Sequence, residues 1–311
     1  MSVKTYSQLM KDAARDRVAA TLRSLPRFRG KIAAANVLRS LFRLDQREPA
    51  IEVLVQMKNG RTVRIDPRGP TESHVYWTGT YYDAFFDDAA RFSRKGGVVL
   101  DVGAHVGFFA LSIGSRLRET GGLVYAFEPL EGNYNRLVEH IAMNKLEETI
   151  KPIRLALGLS AGEVLMSKCV DHPGSTGNAF VLGRGVAGEK TCTARSARLD
   201  DAARELGIDS CDLIKVDIEG CEFDFLRGGR EFLERHTPLV YIELNYFWMR
   251  EFGWSLVDLN DYAKSIGYGV YREVKGAWIA AEHEGTKVEN SLMVPIGGEV
   301  ESRARGVFQF G

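Results

Sequence analysis

Hydrophobic and polar positions follow two different periods in the first part of the chain. Between residues 5 and 45, apolar residues recur at near-helical spacing, which predicts two amphipathic helices broken near Pro26 and Gly30. Residues 51 to 66 instead form two short strand-like segments, IEVLVQM and RTVRID. The Asn59-Gly60 dipeptide between them is a strong hairpin signal, so the sequence predicts a β-hairpin platform here.

From residue 97 onward, short apolar runs alternate with amphipathic segments. The predicted helices cover about 82–93, 108–118, 130–144 and 257–266, the first of them preceded by an aromatic, turn-rich stretch from Tyr76. The predicted strands cover 98–102, 123–127, 150–157, 212–216, 239–244, 268–272 and 291–295. Apolar strands that alternate with helices indicate an α/β fold, with a doubly wound, mostly parallel seven-stranded sheet buried on both faces.

One segment interrupts this alternation. Residues 158–195 are rich in Gly, Ser and Thr and contain strand-like pieces at 163–167, 179–182 and 190–194. We interpret the segment as a β-hairpin insertion near the site, because long irregular insertions in compact domains tend to be functional. The predicted domains are an N-terminal helical and hairpin extension, 1–75, and an α/β domain, 76–311.

Composition and charge narrow the class of protein. The chain has 311 residues, of which 45% are hydrophobic and 26% charged, as in globular proteins. It has 41 basic and 41 acidic residues, so no overall positive field predicts a nucleic-acid partner. No apolar run reaches the length of about 18 residues that spans a bilayer, and four cysteines without metal-site spacing fit a reducing compartment. We therefore expect a cytoplasmic protein without an integral membrane segment.

The first chemical signal lies where the predicted strand 98–102 ends. Asp101 is followed by Gly103 and Gly107 in the pattern Asp-x-Gly-x-x-x-Gly, and a predicted helix begins directly afterwards. Glycine lets the backbone approach a ligand where a side chain would collide. Because ligands of open α/β sheets bind outside the carboxyl ends of the strands, this loop is a candidate cofactor site.

An acidic residue ends the next predicted strand. Glu128 follows Asp101 by one strand–helix–strand unit, and a carboxylate there can accept hydrogen bonds from both hydroxyls of a ribose. The loop lacks the Gly-x-Gly-x-x-Gly spacing of dinucleotide-binding folds, which disfavours a pyrophosphate ligand. A nicotinamide-dependent oxidoreductase and a non-catalytic cofactor-binding module stay as alternatives.

The third signal is the segment from Asp212 to Glu222. Strand side chains alternate, so Lys215 and Asp217 share one side, and Glu219 follows at the strand end. A lysine in a core strand is unfavourable unless it is paired, so Lys215 forms either a structural ion pair or part of a substrate site. The acids could hold magnesium, but acids also favour the start of a helix, and we expect no metal.

In this order and spacing, the three segments resemble the FkbM family of S-adenosylmethionine-dependent methyltransferases. The resemblance covers roughly residues 76 to 245 and includes the segments 79–83, 155–158, 198–200 and 238–243. It implies a class I methyltransferase-like fold, S-adenosyl-L-methionine as cofactor, and O-methylation of a hydroxyl on a sugar, polyketide or other natural product. The chain departs from the family at His105, where Asn is common, and at Asp83, where Glu is common.

The resemblance also implies a role for individual residues. Asp101 would lie by the methionine amino group, Glu128 on the ribose and Ala156 near the adenine. The full set of predicted cofactor-binding residues is Asp83, Asp101, Gly103, Ala104, His105, Gly107, Glu128 and Ala156. His105 could titrate near neutrality and make binding pH-sensitive, or it could simply cap the loop.

A neutral hydroxyl must lose its proton as it attacks, so the reaction needs a base. The predicted catalytic residues are Asp217 or Glu219 as the base, with Lys215 or His105 in reserve. The expected partner is a small-molecule or glycan hydroxyl acceptor rather than a nucleic acid. Aromatic residues near the predicted strand ends could stack on such an acceptor, or could belong to the core or to a homodimer contact; they are Trp77, Tyr81, Tyr82, Tyr246, Phe247 and Trp248.

Overall fold

The computed structural model describes residues 6–26, 30–42, 52–81, 83–168, 190–285 and 288–311. These residues divide into two compact units, the first ending at residue 81 and the second starting at residue 83. The domain boundary predicted between residues 75 and 76 lies within a helix of the first unit. That boundary stays a prediction.

The first unit contains the predicted pair of helices and the predicted hairpin. Its elements are α1 (Tyr6–Ser24), α2 (Lys31–Leu41), β1 (Val53–Gln56), β2 (Thr62–Ile65) and α3 (Pro70–Thr78). The strands β1 and β2 pair antiparallel. Helix α3 was not predicted: the stretch read as turn-rich from Tyr76 begins inside it. A proline at the first position of α3 favours the start of a helix, since its missing N–H would be unpaired there in any case.

The second unit alternates strands and helices as predicted. Its helices are α4 (Asp83–Phe92), α5 (Phe108–Thr120), α6 (Glu131–Met143), α7 (Leu199–Leu206), α8 (Glu222–Gly228), α9 (Arg230–His236), α10 (Tyr246–Glu251), α11 (Leu256–Ser265) and α12 (Gly298–Val307). Its strands are β3 (Val98–Val102), β4 (Leu123–Phe127), β5 (Ile150–Ile153), β6 (Ala156–Leu157), β7 (Gly162–Lys168), β8 (Lys190–Ala197), β9 (Leu213–Val216), β10 (Leu239–Asn245), β11 (Tyr268–Val274), β12 (Ala277–Ala280) and β13 (Val288–Pro295).

The largest sheet in the described part of the chain has eight strands in the order β12-β11-β13-β10-β9-β3-β4-β5. The five strands from β10 to β5 run parallel, while β13, β11 and β12 pair antiparallel. This confirms the doubly wound α/β fold. The predicted number of seven strands is one too few, because the chain turns back at Lys275 and Gly276 and adds β12 beside β11.

The core of the second unit lies against the central strands of this sheet. The apolar side chains of β3, β9 and β10 are buried in one cluster with residues of the helices that cover them. Each such side chain contributes about 1.5–3 kcal/mol when it leaves water. The central strands are therefore rigid supports for whatever follows their carboxyl ends.

A second, three-stranded sheet has the order β6-β8-β7. The antiparallel pair β7 and β8 confirms the predicted hairpin insertion at its two ends, while the predicted piece 179–182 lies outside the described residues. The strand predicted over 150–157 is divided: β5 joins the large sheet, whereas β6 pairs with β8 through Ala156 and Ser196.

The outer strand of the large sheet, β12, is also paired on its other side. The Trp278 N–H donates to the Gln309 carbonyl over 2.7 Å, and the Gly311 N–H donates to the Trp278 carbonyl over 3.0 Å. Within the residues described, no helix combines the length and the apolar character needed to cross a membrane.

Candidate active site

Strand register brings the predicted acids together at one edge of the large sheet. Lys215 on β9 lies opposite Asp101 on β3 and Tyr241 on β10. Because side chains alternate along a strand, Asp217 and Glu243, each two residues further on, lie on the same face. The carboxyl ends of three parallel strands therefore hold a cluster of charged side chains.

The glycine loop after β3 is fastened to its neighbours by backbone contacts. The N–H groups of Gly103 and Ala104 both donate to the Phe127 carbonyl at the end of β4, over 3.0 and 2.9 Å. Gly103 has φ +76°, and a Cβ atom there would lie 2.0 Å from the Asp217 carbonyl oxygen. Gly107, with φ +95°, precedes α5. The loop therefore requires glycine at position 103 for close packing as well as for conformation.

Glu128 joins the end of β4 to the glycine loop. Its Oε2 accepts from the His105 N–H over 2.8 Å, and its Oε1 accepts from the Leu130 N–H over 2.9 Å and from Asn133 Nδ2 over 3.4 Å. Burial raises the pKa of Glu128 to about 7, although these hydrogen bonds oppose the rise. Since two carboxylate oxygens offer about four acceptor positions, Glu128 retains some capacity for a ligand hydroxyl.

Asp101 is fully buried, and within the described part of the chain no donor forms a well-aligned hydrogen bond with either of its carboxylate oxygens. The nearest cation is Lys215, whose Nζ lies 3.6 Å from Asp101 Oδ1. Burial raises the pKa of Asp101, and Lys215 only partly opposes this. A buried carboxylate without donors is unfavourable. It is suited to a ligand that brings a cationic N–H group beside the glycine loop.

His105 occupies the loop in a left-handed conformation, with φ +52°. Burial lowers the pKa of its ring to about 3, and the positive charges of Arg136 and Lys215 act in the same direction. The lowered pKa favours a neutral ring at physiological pH and disfavours the interpretation that His105 titrates near neutrality. Its backbone N–H to Glu128 fits the alternative, a residue that holds the loop.

Lys215 lies between the carboxylates of Asp101 and Asp217. Its Nζ donates to the Gly103 carbonyl over 3.0 Å and lies 3.3 Å from Asp217 Oδ2. Burial alone would lower the pKa of Lys215, but the carboxylates of Asp217 and Asp101 raise it above its ordinary value. This geometry fits the structural ion-pair interpretation. A lysine held in its charged form cannot take up a proton, so Lys215 is unsuited to be the reserve base.

The acids on the loop after β9 differ in their burial and in their hydrogen bonds. Glu219 is partly exposed and has φ +53°. Glu222 is buried, and its Oε1 accepts from the N–H groups of Ile218 and Gly220 over 3.2 and 3.0 Å. Glu222 therefore holds the loop that carries Asp217 and Glu219. Among the described residues, no group of three or more acids, histidines or cysteines is arranged to bind a metal ion.

Glu243 is a residue of this site that the sequence analysis did not single out. It is partly buried on β10, and burial together with the charges of Asp217 and Glu219 raises its pKa to about 8. The pKa of Glu219 is raised to about 8 as well, by burial and by Asp217 and Glu222. The available signal was an acid near the carboxyl end of a predicted strand, the same signal that identified Glu128.

The other predicted residues either lie apart from this cluster or are not among the described side chains. Ala156 belongs to the small sheet. Asp83 begins α4, but its side chain and Tyr82 lie outside the described residues. Of the aromatic residues on α10, Tyr246 is buried while Phe247 is 59% exposed. Trp77 is a buried residue of the first unit, which supports its interpretation as core.

Comparison with known proteins identifies relatives of this chain. Over 167 residues the chain is 26% identical to methyltransferase sdnD of Sordaria araneosa, covering 46% of the chain and 62% of that protein. Over 51 residues it is 41% identical to the 2-O-methyltransferase NoeI of Sinorhizobium fredii, covering 16% of the chain and 21% of that protein. The chain thus covers less than two thirds of the length of either relative.

Among solved structures, a methyltransferase FkbM from Methylobacillus flagellatus is similar with a TM-score of 0.43 and 14% identity, over 92% of this chain and 60% of that one. Residues 101–270 match the family described as the methyltransferase FkbM domain. This segment is more than half of the chain and contains the glycine loop, Glu128 and the acids after β9. The chain belongs to the FkbM methyltransferase family.

Proposed function

We propose that this protein is an S-adenosylmethionine-dependent methyltransferase that methylates a hydroxyl of a sugar, polyketide or other natural product. Family membership supports methyl transfer, and similarity to a 2-O-methyltransferase supports oxygen as the acceptor atom. The observation that carries the cofactor is Asp101, a fully buried carboxylate that lies beside a glycine loop and has no well-aligned hydrogen-bond donor.

The residues present fit the cofactor. Asp101 would accept hydrogen bonds from the ammonium of its methionine part, and Glu128 would use its remaining acceptor capacity on the ribose. Gly103 packs against the Asp217 carbonyl and so keeps the glycine loop close to the end of β9. The predicted contacts through Asp83, Ala104, His105, Gly107 and Ala156 belong to the same proposal. When bound, the cofactor supplies a methyl group already activated on a sulfonium, so the protein mainly aligns the reactants.

The acceptor hydroxyl would enter beside the acids that follow β9 and β10. As its oxygen bonds to the methyl carbon, its proton must pass to a base, and a carboxylate of this cluster is the group available. Asp217 and Glu219 are the predicted bases. Lys215 would act by holding its charge against Asp217 and Asp101 rather than by moving a proton. The acceptor's identity as a small molecule, the cytoplasmic location and a homodimer stay predictions.

Two measurements test this function. Isothermal titration calorimetry with S-adenosylhomocysteine should show binding to the wild type and an affinity at least about tenfold lower in Glu128→Ala, because a charged acceptor of hydrogen bonds is lost. Methyl-labelled S-adenosylmethionine, incubated with panels of sugars and hydroxylated polyketides, should label an acceptor oxygen. Failure to bind S-adenosylhomocysteine would contradict the cofactor, and methylation found only on nitrogen or carbon would contradict the acceptor atom.

A further inference from the structure

We propose that Asn290 is a specificity-determining residue: together with Glu243 it binds a second hydroxyl of the acceptor, so that the substrate is a sugar with neighbouring hydroxyl groups. This inference rests on the proposed function and narrows its acceptor from any hydroxylated natural product to a polyhydroxylated ring. Asn290 lies on β13, outside the segment 101–270 that matches the FkbM family, so family membership alone does not point to it.

Strand register brings Asn290 beside Glu243. Strand β13 pairs antiparallel with β10, and Asn290 lies directly opposite Glu243 in this pair. Residues directly opposite each other in an antiparallel pair have Cβ atoms about 5 Å apart. On the other side of β10, Asp217 directly follows β9 and is level with Glu243. Three adjacent strands therefore present one row of polar side chains at this edge of the sheet.

Glu243 and Asn290 lie on the face of the sheet that carries Asp101. Ile242 on β10 and Met293 on β13 belong to the buried cluster on the opposite face, and side chains alternate along a strand. Asp101 is the fully buried carboxylate without a well-aligned hydrogen-bond donor, which marks its face as the place for a ligand. Both Glu243 and Asn290 are partly exposed on this face, so a ligand can reach them.

Packed rings and an aliphatic side chain close the layer beneath this row. Tyr241 precedes Glu243 by two residues on the same face, and its buried ring stacks on that of Phe85 with the ring centroids 3.6 Å apart. Leu292, opposite Tyr241 on β13, is fully buried. An acceptor at these two strands therefore stops at the level of Glu243 and Asn290, where its polar groups meet their side chains.

The hydrogen-bonding groups of this pair are open to a ligand. Among the residues that the structure describes, the side chains of Glu243 and Asn290 form no hydrogen bond with each other or with a neighbour. A carboxylate accepts hydrogen bonds, while an amide both donates and accepts them. A hydroxyl beside the reacting one offers the matching donor and acceptor. An isolated hydroxyl on a hydrocarbon would instead leave both side chains unpaired, which lowers affinity.

The order of the strands separates the roles of these side chains. From β3 to β13 the row runs Asp101, Asp217, Glu243 and Asn290. The proposed cofactor group is at one end, a predicted base comes next, and the pair for the second hydroxyl is at the other end. A ring that binds this pair presents the neighbouring hydroxyl towards Asp217 and the methyl group, which aligns the reacting atoms. The second hydroxyl is bound without reacting.

Binding of a sugar ring at Asn290 can be tested before the natural acceptor is known. The probes are the methyl pyranosides of glucose, galactose, mannose and rhamnose, with cyclohexanol as a ring that has a single hydroxyl. In nitrogen-15 NMR of the full chain bound to S-adenosylhomocysteine, at least one pyranoside should shift the side-chain amide signal of Asn290. The signal of Asn135, exposed on α6, should stay in place. If no pyranoside shifts the Asn290 signal, or if cyclohexanol shifts it as strongly, the proposal is overturned.

Turnover tests whether Asn290 recognises the second hydroxyl. For a pyranoside that the wild type methylates, the derivative without the hydroxyl next to the methylated one should have a kcat/KM about 100-fold lower, because the pair stays unpaired. In Asn290→Ala this ratio should shrink at least about tenfold, since the intact sugar loses a contact that the deoxy derivative never made. Asn135→Ala, the same change at an exposed position, should keep the wild-type ratio. Both variants should keep their affinity for S-adenosylhomocysteine in calorimetry.

The outcomes separate this inference from the proposed function. Equal losses of kcat/KM on the intact and the deoxy sugar in Asn290→Ala would show a merely structural role and overturn the assignment. If the wild type methylates an alcohol with an isolated hydroxyl but no sugar, the proposed function stands and the sugar class fails. If the wild type binds S-adenosylhomocysteine but methylates no hydroxyl, the proposed function itself fails and this inference fails with it.

Discussion

The two halves of the candidate site are built by opposite means. On the proposed cofactor side, the glycine loop is tied to the end of β4 by two backbone hydrogen bonds, and Glu128 accepts from two further N–H groups. On the proposed acceptor side, Asp217 has one ion pair, while the side chains of Glu219 and Glu243 have none in the described residues. The glycine loop is held by backbone hydrogen bonds. The acids of the other half have few partners within the described residues.

This difference indicates that the fold constrains the sequence of the glycine loop more tightly than that of the acidic loop. The contacts of the glycine loop involve mainly backbone atoms, so they tolerate little change at Gly103. The acids of the other half sit on a loop that is held from behind by Glu222, and their side chains can meet different acceptors. Four variants, taken from the largest expected effect to the smallest, would break or sharpen this contrast.

The largest effect is expected for Gly103→Ala. The new Cβ would collide with the Asp217 carbonyl, and φ +76° is unfavourable for alanine. The free energy of unfolding in urea should fall by about 3 kcal/mol or more, with loss of S-adenosylhomocysteine binding. Gly121→Ala is the matched control, because Gly121 has φ +75° and no atom within 4 Å of its added Cβ; its loss should be about 1 kcal/mol. Equal losses would show that the contact with Asp217 does not constrain the loop.

A smaller loss is expected for Glu222→Ala. The N–H groups of Ile218 and Gly220 would lose their acceptor, which should lower the free energy of unfolding by about 2 kcal/mol. Glu222→Gln keeps an acceptor oxygen and should lose less. Calorimetry should find the affinity for S-adenosylhomocysteine nearly unchanged in both variants, since the Phe127 carbonyl and Glu128 hold the glycine loop from the other side. Weaker binding in Glu222→Ala alone would mean that the two halves are coupled.

The third effect is a pH dependence of stability. A carboxyl group whose pKa is raised from 4.5 to about 8 on folding, as for Glu219, binds its proton more tightly in the folded state. Its contribution to the free energy of unfolding is fully present below about pH 4.5 and is lost as the pH rises to about 8. Urea unfolding of Glu219→Gln should therefore depend less steeply on pH over this window than that of the wild type. Parallel curves for the two proteins would contradict the raised pKa.

The smallest effect is expected for His105→Asn. The His105 ring is neutral at physiological pH because its pKa is lowered to about 3, and asparagine accepts the left-handed conformation readily. Stability should change by about 0.5 kcal/mol or less. Calorimetry at several pH values between about 6 and 8 should give the same pH dependence of S-adenosylhomocysteine binding in both proteins. A pH dependence that disappears in the variant would restore His105 as a titrating group.

The central strands could be predicted from sequence because each is a continuous apolar run. The predicted ranges 98–102 and 123–127 coincide with β3 and β4, and those for β9 and β10 differ by one residue. Helix α3 escaped prediction since it is buried on most sides and shows no amphipathic period. Strand β12 was not predicted either, because it is only four residues long and combines buried with exposed side chains.

The candidate site was only partly predictable for a different reason. Asp101 lies near the end of β3 and Glu128 directly follows β4, and position along the chain was enough to identify them. Glu243 required the order of the strands, since only the pairing of β10 with β9 brings it beside Asp217. The neutral state of His105 required its burial, which depends on residues distant in sequence.

The pairing of β12 with residues 309–311 bears on self-association. An outer strand with open N–H and C=O groups is a template onto which another molecule can add a strand, and such edges lead to aggregation. Here Gln309 and Gly311 already occupy the hydrogen-bonding groups of Trp278. Two copies could join their sheets at this point only by first breaking those bonds, so any dimer that forms is expected to use another surface.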